Sequence, residues 1–150
     1  MRNRFVAAIA IIALGATAVV AQSALLSSTS LMRDQARSMY SVLNKMVKGE
    51  IPYDQAKVDD AVAKLAADAA KIPAAFPASI KGKTSPDSRY SSSPKVWDNR
   101  ADFEEYASNL SKAINEFRGK AKSLEALKAA YPALNDACSG CHEDYRLRRG

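Results

Sequence analysis

Apolar residues recur at helical spacing in two segments of the first half of the chain. The first segment begins near Met32 and is ended by Gly49, which predicts helix one over roughly 27–48. Asp54 is expected to cap the second segment, which predicts helix two over roughly 55–72. The apolar positions behind these two predictions are Met32, Met39, Val42, Leu43, Met46 and Val47, followed by Val58, Val62, Leu65, Ala69 and Ile72.

The helical periodicity stops over residues 73–99. Four prolines, a glycine and three consecutive serines mark this stretch as a long crossover connection. We expect the crossover to pack on the helices, because it carries four large apolar side chains: Phe76, Tyr90, Val96 and Trp97.

Two further helices are predicted in the second half of the chain. Apolar positions over 103–117 predict helix three, which should end near Gly119. Those over 124–145 predict helix four, in which Pro132 predicts a kink or a short break. No stretch of the chain alternates as a β-strand should. The predicted fold is all-α, an antiparallel four-helix bundle with a long crossover between helices two and three.

The composition agrees with one folded domain. The 150 residues are 47% hydrophobic and 25% charged, which excludes disordered and fibrous classes. Two cysteines are too few for a disulfide-rich mini-protein. A chain of this length can also build a core without such cross-links.

The first residues have the features of a secretory signal peptide. A basic start is followed by about sixteen uncharged, mostly apolar residues and by small residues before Ala21. This run is shorter than the roughly 20 residues that a transmembrane helix needs. We expect cleavage of residues 1–21, with Ala18 or Ala24 as other cleavage positions. The mature domain over 22–150 would then lie in the periplasm.

The charge of the chain argues against nucleic acid as a partner. The full chain has 22 Lys and Arg against 16 Asp and Glu, but removal of residues 1–21 lowers the net charge from +6 to +4. The remaining basic residues are interleaved with acidic ones rather than clustered. No second hydrophobic stretch follows, so we expect no membrane insertion after processing.

Near the C-terminus, Cys138, Cys141 and His142 form a C-x-x-C-H sequence, the attachment motif of c-type haem. Cysteines at positions i and i+3 share one helix face, so their sulfurs can form thioether bonds to two vinyl groups on one porphyrin edge. The adjacent His142 can then place its imidazole under the iron. The motif predicts one covalently attached haem c per chain, with both cysteines binding the cofactor and His142 binding the metal.

Three other interpretations of the motif stay open. A zinc site needs four ligands, and two cysteines with the only histidine leave it short unless a carboxylate joins. A thioredoxin-like pair would lie at the start of a helix that follows a strand, whereas this motif lies inside a helical pattern. The third interpretation is two free thiols, which would be a liability in an oxidising compartment.

The sixth ligand of the iron decides the function, and the methionines of helix one are the candidates. Met32, Met39 and Met46 lie seven residues apart on one face, and core packing explains most of such a stripe. In an up-down bundle, the start of helix one lies beside the end of helix four, where His142 is found. At 1.5 Å per residue, Met39 lies about 10 Å and Met46 about 20 Å beyond the level of Met32. Met32 is therefore the predicted sixth ligand.

The mature chain resembles the class II c-type cytochromes, whose best-known members are the cytochromes c-prime. The resemblance covers essentially the whole mature chain, and it is strongest toward the low-spin branch called cytochrome c-556. It rests on three stretches: MVKGEIPYD at 46–54, YSSSPKVW at 90–97 and CSGCHEDYR at 138–146.

The resemblance also implies roles for individual residues. In the c-556 branch a methionine near the start of the first helix ligates the iron, in a segment similar to residues 31–34, which implies that role for Met32. Many high-spin cytochromes c-prime have an arginine four residues before an apolar distal residue, where this chain has Ser28. The missing arginine argues against the high-spin branch and leaves the haem propionates without that partner. Arg146, one helical turn beyond His142, is the predicted substitute.

These observations predict a periplasmic electron carrier that is not an enzyme. It is expected to be a monohaem cytochrome with His142 and Met32 as axial ligands, cycling between Fe²⁺ and Fe³⁺ by outer-sphere transfer. We expect periplasmic redox proteins as electron donors and acceptors, and neither nucleic acid nor a membrane as a partner. One alternative is a five-coordinate, high-spin cytochrome c-prime that binds NO or CO, and another is a haem-free thiol redox enzyme.

Overall fold

Four long helical segments form the antiparallel bundle that the sequence predicts. The structure, a computed structural model, describes residues 3–85 and 89–149, with side chains from residue 19 onward. In chain order the elements are α1 (Asn3–Ala36), a π-helical segment (Arg37–Leu43), α2 (Asn44–Val47), α3 (Gln55–Ala69), α4 (Ile72–Ala75), a 3₁₀ turn (Ala78–Ile80), β1 (Tyr90–Ser92), α5 (Lys95–Asp98), α6 (Arg100–Lys120), α7 (Leu124–Tyr145) and β2 (Arg146–Arg148).

The first helical segment is longer and less regular than predicted. It runs without a break from Asn3 to Val47, so the expected start near residue 27 is wrong. Its π-helical part has wider turns, in which an N–H bonds to the carbonyl five residues earlier, as Asn44 does to Met39. Gly49 ends the segment as predicted, with a φ of +73° that suits glycine.

The predicted signal peptide forms the beginning of α1. Residues 1–2, which include its first arginine, lie outside the described residues. Val19 and Val20 near its end are 70% and 62% exposed, so they contribute nothing to the core. Within the described part of the chain, no helix is both long and apolar enough to span a membrane. Cleavage after Ala21 stays a prediction.

The second helix begins as predicted but ends earlier. The Asp54 carboxylate accepts a hydrogen bond of 3.2 Å from the Lys57 backbone N–H, which confirms the N-cap. Helix α3 ends at Ala69 rather than Ile72. Pro73 does not terminate it but lies in the first turn of α4, where its missing N–H removes no helical hydrogen bond.

The crossover packs on the bundle through three of its four large apolar residues. Phe76 and Val96 are buried, and Trp97 is half-buried with its indole N–H donating to the Phe76 carbonyl oxygen at 3.1 Å. Tyr90 is the exception, because 42% of it is exposed. Pro86, another predicted crossover residue, lies outside the described residues.

The expectation that the chain has no strand is wrong at one place. β1 and β2 pair in an antiparallel ribbon, with Tyr90 opposite Arg148 and Ser92 opposite Arg146. Strands of three residues are too short to show an alternating pattern in the sequence. The ribbon ties the residues that follow α7 to the crossover, and Tyr90 stays exposed because it lies on this surface ribbon.

The last two helices match their predicted extents. Helix α7 runs through Pro132 without a break, so the predicted short break is wrong. An internal proline costs roughly 3 kcal/mol, and α7 packs against α6 along this stretch. The centre of the bundle is filled by large, fully buried side chains from all four helical segments: Leu43, Met46, Leu65, Ile114, Leu127 and Leu134.

Candidate functional site

A cavity of about 610 Å³ is lined mainly by α1, the π-helical segment, α6, α7 and the crossover. All five predicted site residues line it: Met32 from α1, Cys138, Cys141 and His142 from α7, and Arg146 from β2. Its volume lies within the range of about 300–1,000 Å³ that is typical of small-molecule and cofactor sites. The structure therefore brings every predicted residue to one site.

The two cysteines lie in the last two turns of α7 and are not joined by a disulfide. Burial raises the pKa of Cys138 and of Cys141 to about 11, so both thiols are protonated at neutral pH. Redox-active C-x-x-C pairs instead have a lowered pKa at a helix start. Position and pKa both argue against the thioredoxin-like interpretation.

His142 presents a neutral imidazole to the cavity. Burial, together with the nearby charge of Arg146, lowers its pKa to about 4. A neutral imidazole keeps a lone pair for a metal. Arg146 is held beside it, because its backbone N–H donates to the His142 carbonyl oxygen at the end of α7.

The three methionines of the first segment have different surroundings. Met46 is fully buried in the core and does not line the cavity. Met32 and Met39 both line it, but Met39 is only 2% exposed whereas Met32 is half-buried. Of these three methionines, only Met32 and Met39 line the cavity. The position of His142 at the end of α7 favours Met32 as the candidate ligand.

Four aromatic rings form one wall of the cavity. Phe103 meets Phe76 edge to face at 5.5 Å and Tyr145 at 5.2 Å between ring centroids. Tyr145 in turn meets Tyr106 at 5.6 Å. Such edge-to-face contacts stabilise a fixed arrangement of rings. This wall is rigid and apolar next to the C-x-x-C-H motif.

The hydroxyl groups of this wall are bonded to carboxylates. Tyr145 donates to Asp102, and Tyr106 donates to Asp144 at 3.2 Å. Asp144 also accepts from Lys95 at 3.0 Å, and this hydrogen bond holds the pKa of Asp144 below its usual value. Burial and the bond to Asp102 raise the pKa of Tyr145, so this hydroxyl keeps its proton.

Four cations line the cavity, and sequence reasoning identified only Arg146. The others are Arg33 from α1 and Lys83 and Arg89 from the crossover, and all four are exposed. No Asp or Glu occurs among the described residues that line the cavity. The four residues come from three separate parts of the chain, so no cluster of basic residues in the sequence indicated them. Their arrangement suits a ligand with carboxylate groups.

The sequence pattern of the family described as Cytochrome C' matches residues 24–146. The chain belongs to this family. It is 48% identical over 136 residues to cytochrome c-555 of Bradyrhizobium diazoefficiens, a match that covers 90% of this chain and 91% of that protein.

Solved structures agree with this assignment. Oxidized cytochrome c556 from Rhodopseudomonas palustris has a TM-score of 0.76 and 42% identity, over 86% of this chain and 99% of that chain. Cytochrome c' from Rhodopseudomonas palustris has a TM-score of 0.75 and 29% identity, over 85% and 98% of the two chains. The resemblance to class II c-type cytochromes is confirmed. This chain is a c-type cytochrome, an electron carrier whose cofactor is covalently attached haem c.

The cavity of the cytochrome fits haem in its size, walls and charges. The two thiols suit the vinyl edge of the porphyrin, the neutral imidazole suits the iron, and the aromatic wall suits the flat ring. The four cations suit the two propionate carboxylates. The structure does not support the zinc interpretation, because the described residues contain no group of three or more His, Cys, Asp or Glu that could hold a metal ion.

One further polar residue of the cavity was not identified from the sequence. Gln35 lines the cavity and is 8% exposed, and its side-chain N–H group has no hydrogen-bond partner among the described residues. In the sequence it stands in the polar run Arg33-Asp34-Gln35-Ala36-Arg37. Nothing in such a run distinguishes a buried amide from a solvated one.

Proposed function

We propose that this cytochrome is a periplasmic monohaem electron carrier with His142 and Met32 as the two axial ligands of the iron. One observation carries the proposal: the only histidine of the chain and Met32 line the same cavity from two different helices. Bound haem supplies an iron that alternates between the ferrous and ferric states. With both axial positions filled by side chains, no position is left for a substrate, so we propose that the protein is not an enzyme.

The side chains of the cavity have distinct roles in this proposal. Cys138 and Cys141 would hold the cofactor through thioether bonds, and the neutral imidazole of His142 would donate its lone pair to the iron. The Met32 thioether is a soft ligand that favours the ferrous state and raises the reduction potential. Phe103 and its aromatic neighbours exclude water from the ring faces, which lowers the local dielectric and also tunes the potential.

Arg146 has a separate role as a cofactor-binding residue. Like Lys83 and Arg89, it lines the cavity and is exposed. We assign it to a haem propionate, because a guanidinium binds a carboxylate through two parallel hydrogen bonds. Arg146 would then take the role of the arginine that many high-spin cytochromes c-prime have where this chain has Ser28.

The proposed periplasmic location rests on the signal-like segment at the start of the chain. The exposed Val19 and Val20 add no packing to the bundle, which supports a segment that is removed after it has served as a signal. The mature domain over 22–150 would fold and receive its haem in the periplasm. Mass spectrometry of the mature protein tests this proposal, because cleavage after Ala21 leaves Gln22 as the first residue.

The proposed partners are periplasmic redox proteins with acidic surfaces. The cations at the cavity mouth would attract such a surface to the site where electrons leave. The electron-transfer rate should therefore fall as ionic strength rises. Lys83→Gln should weaken this salt dependence, whereas Lys128→Gln, on α7 and away from the cavity, should leave it unchanged. A rate that does not depend on salt would contradict the proposal.

The absorption spectrum of the ferrous protein tests the ligation, before and after addition of carbon monoxide. A low-spin spectrum that changes little on mixing supports His/Met ligation. A high-spin spectrum with rapid carbon monoxide binding would replace the proposal with the alternative, a gas-binding cytochrome c-prime.

A further inference from the structure

We infer that Gln35 is a positioning residue of the haem site, and that its side-chain amide donates a hydrogen bond to the Met32 sulfur when that sulfur binds the iron. The inference rests on the proposed His142 and Met32 ligation. The proposed hydrogen bond would change how strongly the Met32 sulfur donates electrons to the iron.

The lining of the cavity includes a buried hydrogen-bond donor that lacks an acceptor among the described residues. Gln35 is 8% exposed and lines the cavity, yet its Nε2 has no acceptor among the described residues. A buried donor without a partner costs about 1–3 kcal/mol. Buried polar groups are nearly always paired, so an acceptor is expected inside the filled cavity.

Gln35 lies on α1 three residues after Met32. Residues three apart on a helix are neighbours on one face, so Gln35 and Met32 share the face that lines the cavity. Helical side chains lean toward the N-terminus and cover the preceding turn. The Gln35 side chain is therefore directed toward the turn that carries Met32.

The propionate carboxylates are the other acceptors that haem offers to a buried amide. The cations Arg33, Lys83, Arg89 and Arg146 are all exposed at the cavity mouth, whereas Gln35 is buried. Carboxylates pair with these cations in preference to a neutral amide, because charge-assisted hydrogen bonds are about twice as strong. The acceptor left for the buried amide is the second lone pair of the Met32 thioether, which is a weak acceptor.

The chemical consequence is a change in how strongly the sulfur donates to the iron. An N–H that shares a lone pair of the sulfur withdraws electron density from it, which favours the ferrous state. Outer contacts of this kind also fix the orientation of a metal ligand. Gln35→Leu should therefore lower the reduction potential without removing the ligand.

The test combines a variant with a measurement on the wild type. In the Gln35→Leu holoprotein we expect the thioether-to-iron absorption band to persist and the reduction potential to fall. Ser38→Ala is the matched control, since Ser38 is also a buried polar residue of the same helical segment but does not line the cavity. Its potential should equal that of the wild type. An unchanged potential in Gln35→Leu would overturn the inference.

The second measurement needs no variant and so does not depend on folding of a mutant. In the diamagnetic ferrous wild type, the Gln35 side-chain amide protons should show nuclear Overhauser contacts to the Met32 methyl group. Contacts to propionate methylene protons instead would overturn the inference while leaving His/Met ligation intact. Absence of the thioether-to-iron band in the wild type would instead contradict the proposed ligation itself.

Discussion

The guanidinium of Arg146 lies over the ring of Tyr90, 4.4 Å from its centroid. The two residues belong to opposite strands of the ribbon, with Arg146 on β2 and Tyr90 on β1. A cation over an aromatic face within about 6 Å is attracted to it. The contact holds the arginine at the cavity, where its charge adds to the effect of burial and lowers the pKa of His142.

Replacement of Arg146 tests its role near the haem. A positive charge favours the ferrous iron, which carries less charge, so Arg146→Gln should lower the reduction potential. About 59 mV corresponds to a tenfold change for a one-electron couple, and we expect a shift on the order of tens of mV. Spectroelectrochemical titration measures it. Arg148→Gln is the control, because Arg148 lies on the same strand but does not line the cavity. Equal shifts in both variants would assign the effect to general surface charge.

Replacement of the two cysteines tests covalent attachment. Each of Cys138→Ser and Cys141→Ser removes one thioether bond, and the double variant removes both. We expect acid acetone to extract haem from the double variant but not from the wild type, as measured by the Soret absorbance that stays with the protein. Ser38→Ala is a control for a buried change away from the cavity. Haem retained by the double variant after extraction would disprove attachment through these thiols.

The hydrogen bond between Tyr145 and Asp102 should contribute to stability at neutral pH. Tyr145 is 5% exposed, and Tyr145→Phe removes a bond to a charged acceptor, so we expect a loss of about 1–2 kcal/mol in the free energy of unfolding. Urea unfolding at pH 7 measures it. Tyr106→Phe is the comparison, because its partner Asp144 keeps the hydrogen bond from Lys95. Its loss should be smaller.

The raised pKa of Tyr145 also predicts how the stability difference between wild type and Tyr145→Phe depends on pH. The folded protein raises the pKa of Tyr145, chiefly through burial, so the folded state keeps a proton that the unfolded state loses near pH 10. The stabilising contribution is therefore complete below about pH 10 and declines as the pH rises above it. The gap between wild type and Tyr145→Phe should narrow from pH 9 to pH 11. A gap that widens over this range would contradict the sign of the pKa shift.

The periodicity of apolar residues predicted the four helices because each packs one face in the core. The sequence did not predict the π-helical segment, since the seven-residue spacing of Met32, Met39 and Met46 is also compatible with a regular α-helix. It did not predict the ribbon, because Tyr90–Ser92 and Arg146–Arg148 pair only after the bundle has brought them together.

Only the part of the candidate site that lies in one short stretch of sequence could be predicted. The C-x-x-C-H motif is local, so its cysteines and histidine could be identified from spacing alone. The cations Arg33, Lys83 and Arg89 come from two distant parts of the chain and meet only at the cavity mouth. The burial of Gln35 depends on tertiary contacts and is invisible in a polar run of sequence.

Replacement of Met32 distinguishes an electron carrier from a gas-binding protein. If its sulfur fills the sixth position, Met32→Ala should open that position, make the iron high-spin, lower the potential and allow rapid binding of carbon monoxide. The ferrous form is the cleaner test, because water can fill the open position in the ferric form. Stopped-flow mixing of the ferrous protein with carbon monoxide measures the binding rate.

Met39→Ala is the matched control for this prediction, because Met39 also lines the cavity but lies 2% exposed in the core. Its replacement should leave the carbon monoxide rate and the spectrum unchanged. It should instead lower the free energy of unfolding by about 2–5 kcal/mol, the usual effect of truncating a buried Met. If Met39→Ala rather than Met32→Ala opens the iron, the ligand is Met39. If the wild type already binds carbon monoxide as fast as Met32→Ala, the iron is five-coordinate and the protein is a gas binder.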